Sequence, residues 1–211
     1  MLDVDQFVTD DRAGLPGAIN KGVEYLPSHI RYINWLGDDD LLKPSSLNLA
    51  LEALTAYPDA SFVYGSCDYI DEGGRVLLTI RPGNWAKWLM RIGPQLVPQP
   101  SALILRAAFN EIGGLNKKYC WAFDLDMFIR LSKIGNTYCL KAVASAFRWH
   151  IDSLSVGGRR GSVDEASSIR VQYIPAWLRP AAVLWEPLCR LVIYHSGRFL
   201  SMKSGTKVTD M

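Results

Sequence analysis

IRYINWLGDDD, residues 30–40, is the stretch on which the reading of this chain turns. Its first part, 30–36, alternates β-branched, aromatic and apolar side chains and reads as a short strand. The strand runs directly into Gly37 and three consecutive acids, Asp38, Asp39 and Asp40. Open α/β sheets bind ligands beyond the carboxyl ends of their strands, so a site is expected here. Two accounts fit the acids. They are either a solvated turn, with carboxylates meeting free N–H groups at a helix start, or oxygen ligands for a hard cation such as Mg²⁺ or Mn²⁺ that keeps positions open for substrate phosphates.

Outward from this stretch, helical and extended patterns alternate. Upstream, 16–25 reads as a helix with Pro16 in its first turn and Ala18, Ile19 and Val23 at helical spacing. Downstream, 41–57 reads as a helix with Leu47, Ala50, Leu51 and Leu54 on one face, capped by Ser45 or Ser46. Segments 60–64 and 67–70 read as strand, with a DEGG turn at 71–74 before another strand at 75–80. A short helix is expected over 85–92, extended chain over 101–105, a helix over 124–134 ended by Gly135, and a strand over 137–143. The expected class is α/β: a mixed, mainly parallel sheet flanked by helices. The expected domain is 1–156, followed by a linker candidate in the Gly- and Arg-rich 157–168, of which 162–168 could instead begin the next helix, and an amphipathic helical tail to residue 211.

Composition narrows the function. The chain has 211 residues, 49% of them hydrophobic, enough for one sizeable core. With 23 basic and 21 acidic side chains the formal charge is +2, so no long-range field favours nucleic acid. Cys67, Cys120, Cys139 and Cys189 form no CxxC pair, and no signal-like segment precedes them. Reduced cysteines in a cytoplasmic protein are the simpler expectation; two disulfides, the alternative, would need an export signal. No run of 18 apolar residues occurs. Trp177, Leu178, Trp185, Leu188, Leu191 and Tyr194 in the tail could lie at the inner face of a membrane, pack on the core or form a homodimer.

Two further features carry chemistry. Asp124 and Asp126 fall in the first turn of the 124–134 helix and are either cap residues or a general base facing an acceptor hydroxyl. His150, with Arg148 before it and Ser153 and Ser155 after it, is either a structural histidine or a diphosphate contact. There is no GxSxG, HExxH or GxxxxGK[ST] motif.

AINKG at 18–22, WLGDDDLLKPSSL at 35–47, VPQPSALILRAAFNEIGGLNKKY at 97–119, AFDLDMFIRLSKIG at 122–135 and RWHIDSLS at 148–155 together resemble the family 2 glycosyltransferases of the GT-A fold, over about residues 10–156. The resemblance implies an inverting transfer from a nucleotide-diphosphate sugar to a hydroxyl of a glycan or lipid-linked acceptor, as in polysaccharide and cell-envelope biosynthesis. It implies Mn²⁺ or Mg²⁺ held by Asp38, Asp39, Asp40 and His150. Donor contacts fall to Asp11, Asn20, Asp38, Asp39 and His150, and acceptor contacts to Gln99, Pro100 and Trp121. The base falls at Asp124, counted back from Arg130 and Leu131, with Asp126 in reserve. Relatives open with a strand of the form xSVVIPTYN and a later DDGSxD, neither of which occurs here, so the domain is expected to be N-terminally truncated. Two alternatives stand beside this: a non-catalytic remnant that binds a glycan or partner, and a nucleotidyltransferase.

Overall fold

The computed structural model describes residues 8–9, 12–151, 153, 156 and 158–205. One sheet is built from β1 (Tyr32–Ile33), β2 (Leu41–Leu42), β3 (Ala60–Ile70), β4 (Val76–Ile80), β5 (Ala102–Leu105) and β6 (Asn136–Arg148). Its order is β1-β5-β3-β6-β2, with β4 also paired to β3. β6 runs the length of one edge of β3, from Ala60 to Ile70, while β5 pairs with Phe62–Tyr64 and β4 with Cys67–Ile70.

The sheet is mixed and flanked by helices as expected, but it is not mainly parallel. Among the described strands β3–β6 is the one parallel pairing; β1–β5, β2–β6, β3–β4 and β3–β5 are antiparallel. The reason is connection length. Parallel neighbours need a long crossover, which the segment between β3 and β6 supplies. β3 and β4, by contrast, are joined by the turn at 71–74, where Gly74 takes φ 83° and Asp71 Oδ1 accepts the Arg75 N–H at 2.8 Å.

The helices are α1 (Gly14–Tyr25), α2 (Ser46–Ala56), α3 (Ala86–Leu89), α4 (Arg106–Glu111), α5 (Phe123–Ile134), α6 (Arg159–Tyr173) and α7 (Glu186–Ser204). Alternation in β3 sends Phe62 and Tyr64 into the main core with Ile104 of β5 and Leu125, Phe128 and Leu131 of α5. Val63 points the other way, into a smaller cluster with Ala50 and Leu54 of α2. Both faces of β3 are therefore covered, which explains its nearly unbroken burial.

The expected helix over 41–57 divides. Leu41–Leu42 pairs with Ala146 and Ser145 of β6, and the helix begins only at Ser46. Pro44 disfavours helical backbone at Lys43, and Ser45 sits at φ 61° without making a side-chain cap. Ala50 and Leu54 are buried, but Leu47 and Leu51 are exposed, so the apolar stripe is narrower than its periodicity suggests. The 157–168 linker candidate is helical from Arg159 onward. α6 packs on α5 and is joined to α7 by a buried pair, in which Arg170 Nε and Nη2 donate to the Glu186 carboxylate at 2.6 and 3.0 Å. No helix among the described residues is long and apolar enough to cross a membrane.

Candidate active site

The acid turn is built from both sides. β1 is held against Leu105 and Ile104 of β5, and past it the chain is clamped by a 3₁₀ turn, Gln99–Ser101. Gln99 Nε2 donates to Asn34 Oδ1 at 3.1 Å and to the Trp35 carbonyl at 2.7 Å, while Asn34 Nδ2 donates to the Pro100 carbonyl at 3.2 Å. Gln99 and Pro100, expected at the acceptor, thus fix the approach to the acids. At Gly37 a Cβ would stand 2.7 Å from Asp39 Oδ1, so a larger residue here would have to displace the Asp39 carboxylate.

On the other side lies the end of β6. The Arg148 N–H donates to Asp40 Oδ1 at 3.0 Å, and its guanidinium donates to the carbonyls of Asp39, Asp71 and Glu72 at 2.9–3.0 Å. One arginine therefore ties the acid turn to the β3–β4 turn. His150 Nε2 contacts Asp39 Oδ2 directly. Trp149 between them is anchored by its indole N–H to Ser201 Oγ of α7 at 3.1 Å. Asp40 is buried, and burial pushes its carboxyl up to about 6; the Arg148 amide opposes the rise and the Asp39 charge adds to it. Asp38 is exposed on the turn.

Among the described residues no group of three or more His, Cys, Asp or Glu side chains converges as a ligand set. Asp39 and His150 meet, whereas Asp40 faces the Arg148 amide and Asp38 points to solvent. One carboxylate oxygen and one imidazole nitrogen fit a divalent ion that takes its remaining ligands from substrate phosphate and water, and nitrogen suits Mn²⁺ better than Mg²⁺.

The two aspartates of α5 have opposite fates. Asp126 is fully buried; its Oδ2 accepts from Arg130 Nε at 2.8 Å and its Oδ1 from the Tyr173 hydroxyl at 2.6 Å. Asp124 is part-exposed, with Oδ2 accepting from Gln95 Nε2 at 2.8 Å and Oδ1 from the Leu125 N–H at 2.8 Å. Desolvation raises the Asp124 carboxyl above its ordinary range, against the pull of Gln95. The amides just before α5 are capped from a distance, by Glu165 of α6.

Burial raises the phenol of Tyr69 on β3, and the charges of Cys67, Asp124 and Asp40 push in the same direction. Gln95, Tyr69 and Glu165 were missed in the sequence because nothing in their local pattern marks them. Arg148 was noted only as a neighbour of His150.

The remaining candidates lie elsewhere. Asn20 exchanges two hydrogen bonds of 2.8 Å with the Leu115 backbone, which commits its amide to the fold. Trp121 is part-buried against Gly161 of α6, where a Cβ would come within 2.8 Å of the indole ring. Asp11 and Ser155 lie outside the described residues. A shallow depression of about 440 Å³ lined by Ser66, Arg81, Asn84, Cys139 and Lys141 contains none of the candidate residues. The four cysteines are free.

No family model matches the chain. It is 22% identical over 152 residues to the chondroitin synthase of Pasteurella multocida (strain Pm70), which is 72% of this chain and 15% of that protein. It is 24% identical over 157 residues to the chondroitin synthase of Escherichia coli, which is 72% of this chain and 22% of that one. The chain therefore spans less than a quarter of the length of these relatives, both of them synthases. Among solved structures, S. aureus TarS matches with a TM-score of 0.50 over 88% of this chain and 42% of that chain, at 9% identity. The mixed α/β fold expected from the glycosyltransferase resemblance is thus the fold found.

Proposed function

We propose that this chain is the catalytic part of an inverting, metal-dependent glycosyltransferase that moves a sugar from a nucleotide diphosphate to a hydroxyl of a glycan or lipid-linked acceptor. The observation that carries the reading is the presence of two unlike acid sites, each held by its own partners: the Asp39–His150 contact on a turn tied down by Arg148, and Asp124 held by Gln95. On one side, Asp40 belongs to a turn where Asp39 meets His150; on the other, Asp124 keeps a part-exposed carboxylate that burial makes more basic than usual. Synthase relatives and the TarS-like fold support sugar transfer rather than nucleotidyl transfer.

Asp39 and His150 would hold the divalent ion, which when bound supplies positive charge against the departing diphosphate. The chain's own residues do the rest. Arg148 fixes the acid turn, and Trp149 beside His150 is anchored to Ser201 of α7. Asp124 accepts the acceptor hydroxyl proton as that oxygen attacks the anomeric carbon, and the sugar–phosphate bond breaks on the opposite face. Gln95 orients the Asp124 carboxylate, and burial brings its basicity nearer the working pH, as general-base catalysis needs. The burial of Asp126 and the partners on both its oxygens favour Asp124 over it as the base.

Calorimetry of the 211-residue protein against UDP, with and without Mn²⁺, tests the donor half. Binding that requires Mn²⁺ and is lost in His150→Ala is expected; folded protein that binds no nucleotide diphosphate under either condition overturns the reading. Asp124→Asn should retain UDP affinity while sugar transfer disappears.

A further inference from the structure

α5 begins without a cap of its own: Ala122, at its N-cap, makes no side-chain hydrogen bond. A helix start leaves its first N–H groups without intrahelical partners, and a short acidic side chain in the first turn is the usual remedy. Here the remedy comes from another helix. The half-buried Glu165 of α6 accepts the Cys120 N–H on Oε1 at 2.8 Å and the Trp121 and Ala122 N–H groups on Oε2, both at 2.6 Å. Three successive amides converge on one carboxylate, each a short charge-assisted bond.

The contact is part of a brace. Gly161, one turn earlier on α6, leaves room for the Trp121 ring. Gln172 Oε1 accepts the Tyr119 hydroxyl at 3.0 Å, and the Tyr173 hydroxyl donates to Asp126 Oδ1 at 2.6 Å. Along its length, α6 thus grips the segment 119–126 that carries Asp124. Because Glu165 occupies the amides ahead of the helix, the Asp124 carboxylate is left to meet Gln95 and the Leu125 N–H.

We infer that Glu165 is a positioning residue for the reaction: it fixes the 120–122 backbone and thereby sets where Asp124 presents its carboxylate. The inference rests on the reading of Asp124 as the base. It makes α6 a working part of the site rather than a linker. A supporting electrostatic consequence follows, since the Glu165 charge is among the influences that raise Asp124. Gln95, from the loop before the 3₁₀ turn, donates to the Asp124 carboxylate, and the Glu165 charge acts on it from α6.

Glu165→Gln removes the charge and turns an amide N–H₂ toward backbone donors. NMR of the folded variant should show faster hydrogen exchange at the Cys120, Trp121 and Ala122 amides, by at least about tenfold for the loss of one such bond. The Asp124 carboxyl carbon should titrate at lower pH than in the unaltered protein. In a transfer assay kcat should fall by about 10- to 100-fold, the scale of a misplaced catalytic group, with Mn²⁺-dependent UDP affinity kept. Asp164→Asn, on the same helix but facing solvent and Arg190, should move neither NMR readout. Unchanged protection and an unchanged Asp124 midpoint in Glu165→Gln overturn the inference. If that variant does not fold, Glu165→Asp decides: its carboxylate reaches one methylene less far, so protection of the three amides should fall while the fold is kept, and unchanged protection overturns the inference. Failure of the underlying reading looks different, because Asp124→Asn would then keep full transfer whatever Glu165 does.

Discussion

Replacing Asp126 by Asn separates the two aspartates of α5 by their physics. Asp126 is fully buried; Arg130 Nε and Nη2 stand 2.8 and 2.6 Å from its Oδ2, and Tyr173 donates to its Oδ1. The Arg130 Nη1 donates to the Ile112 and Gly114 carbonyls at 2.7 and 2.8 Å, so the guanidinium cannot swing out to water without releasing the loop at the double glycine. Removing one partner of a buried pair costs about 3–5 kcal/mol, because the remaining charge stays desolvated. Asn keeps one acceptor oxygen and Arg130 is part-exposed, so the cost falls to or just below the bottom of that range, about 2–3 kcal/mol. For a domain near this size each 1 kcal/mol moves Tm by about 2–4 °C, giving a fall of about 4–12 °C. Thermal and urea unfolding measure it, with an unchanged urea slope showing that the compactness of the two states is preserved. Asp124→Asn should instead melt at or above the original temperature, since burial disfavours the charge that it removes. A Tm shift under 1 °C for Asp126→Asn together with lost transfer would refute this division and return Asp126 to the role of base.

Asp40, at about 6 in the fold against 3.8 ordinarily, holds its proton more tightly folded than unfolded; stability present below pH 3.8 is therefore lost as pH rises through about 6. Asp40→Asn should stabilise the metal-free protein by about 2 kcal/mol at pH 7.5, allowing for solvent screening, and by nothing near pH 3.5; equal gains at both pH values would count against the buried-carboxylate account. In Gln95→Ala, Asp124 loses a donor that favours its ionised form. The acidic limb of the kcat/KM profile should move to higher pH, and a limb that stays in place or moves down would separate Gln95 from the base.

Much of the fold was legible because helix and strand periods are local. Val23 and Ile19 marked α1, and Met127 and Leu131 marked α5, whose buried face they supply. The strand-to-turn transition at 30–40 was also legible, since glycine followed by acids interrupts an apolar run. The aspartates of α5 were visible as a pair, with no means of dividing their roles. Misreadings arose where partners were distant. Leu41 and Leu42 look like the start of a helix until β6 pairs with them, and the 157–168 segment looks like a linker until Glu165 and Tyr173 are seen to grip the α5 start.

By itself the sequence determined the alternation of elements, the apolar face of α5, the acid turn and the absence of a charge field suited to nucleic acid. Tertiary structure alone decided strand direction, the meeting of Asp39 with His150, the clamp of Gln95 on Asp124 and the cap from Glu165. The physical reason is that periodicity and turn chemistry act between near neighbours along the chain. Hydrogen bonds between residues far apart in sequence exist only after loop closure and core packing bring their elements together. Whether a carboxylate becomes a base, a metal ligand or a strut depends on which donors arrive beside it.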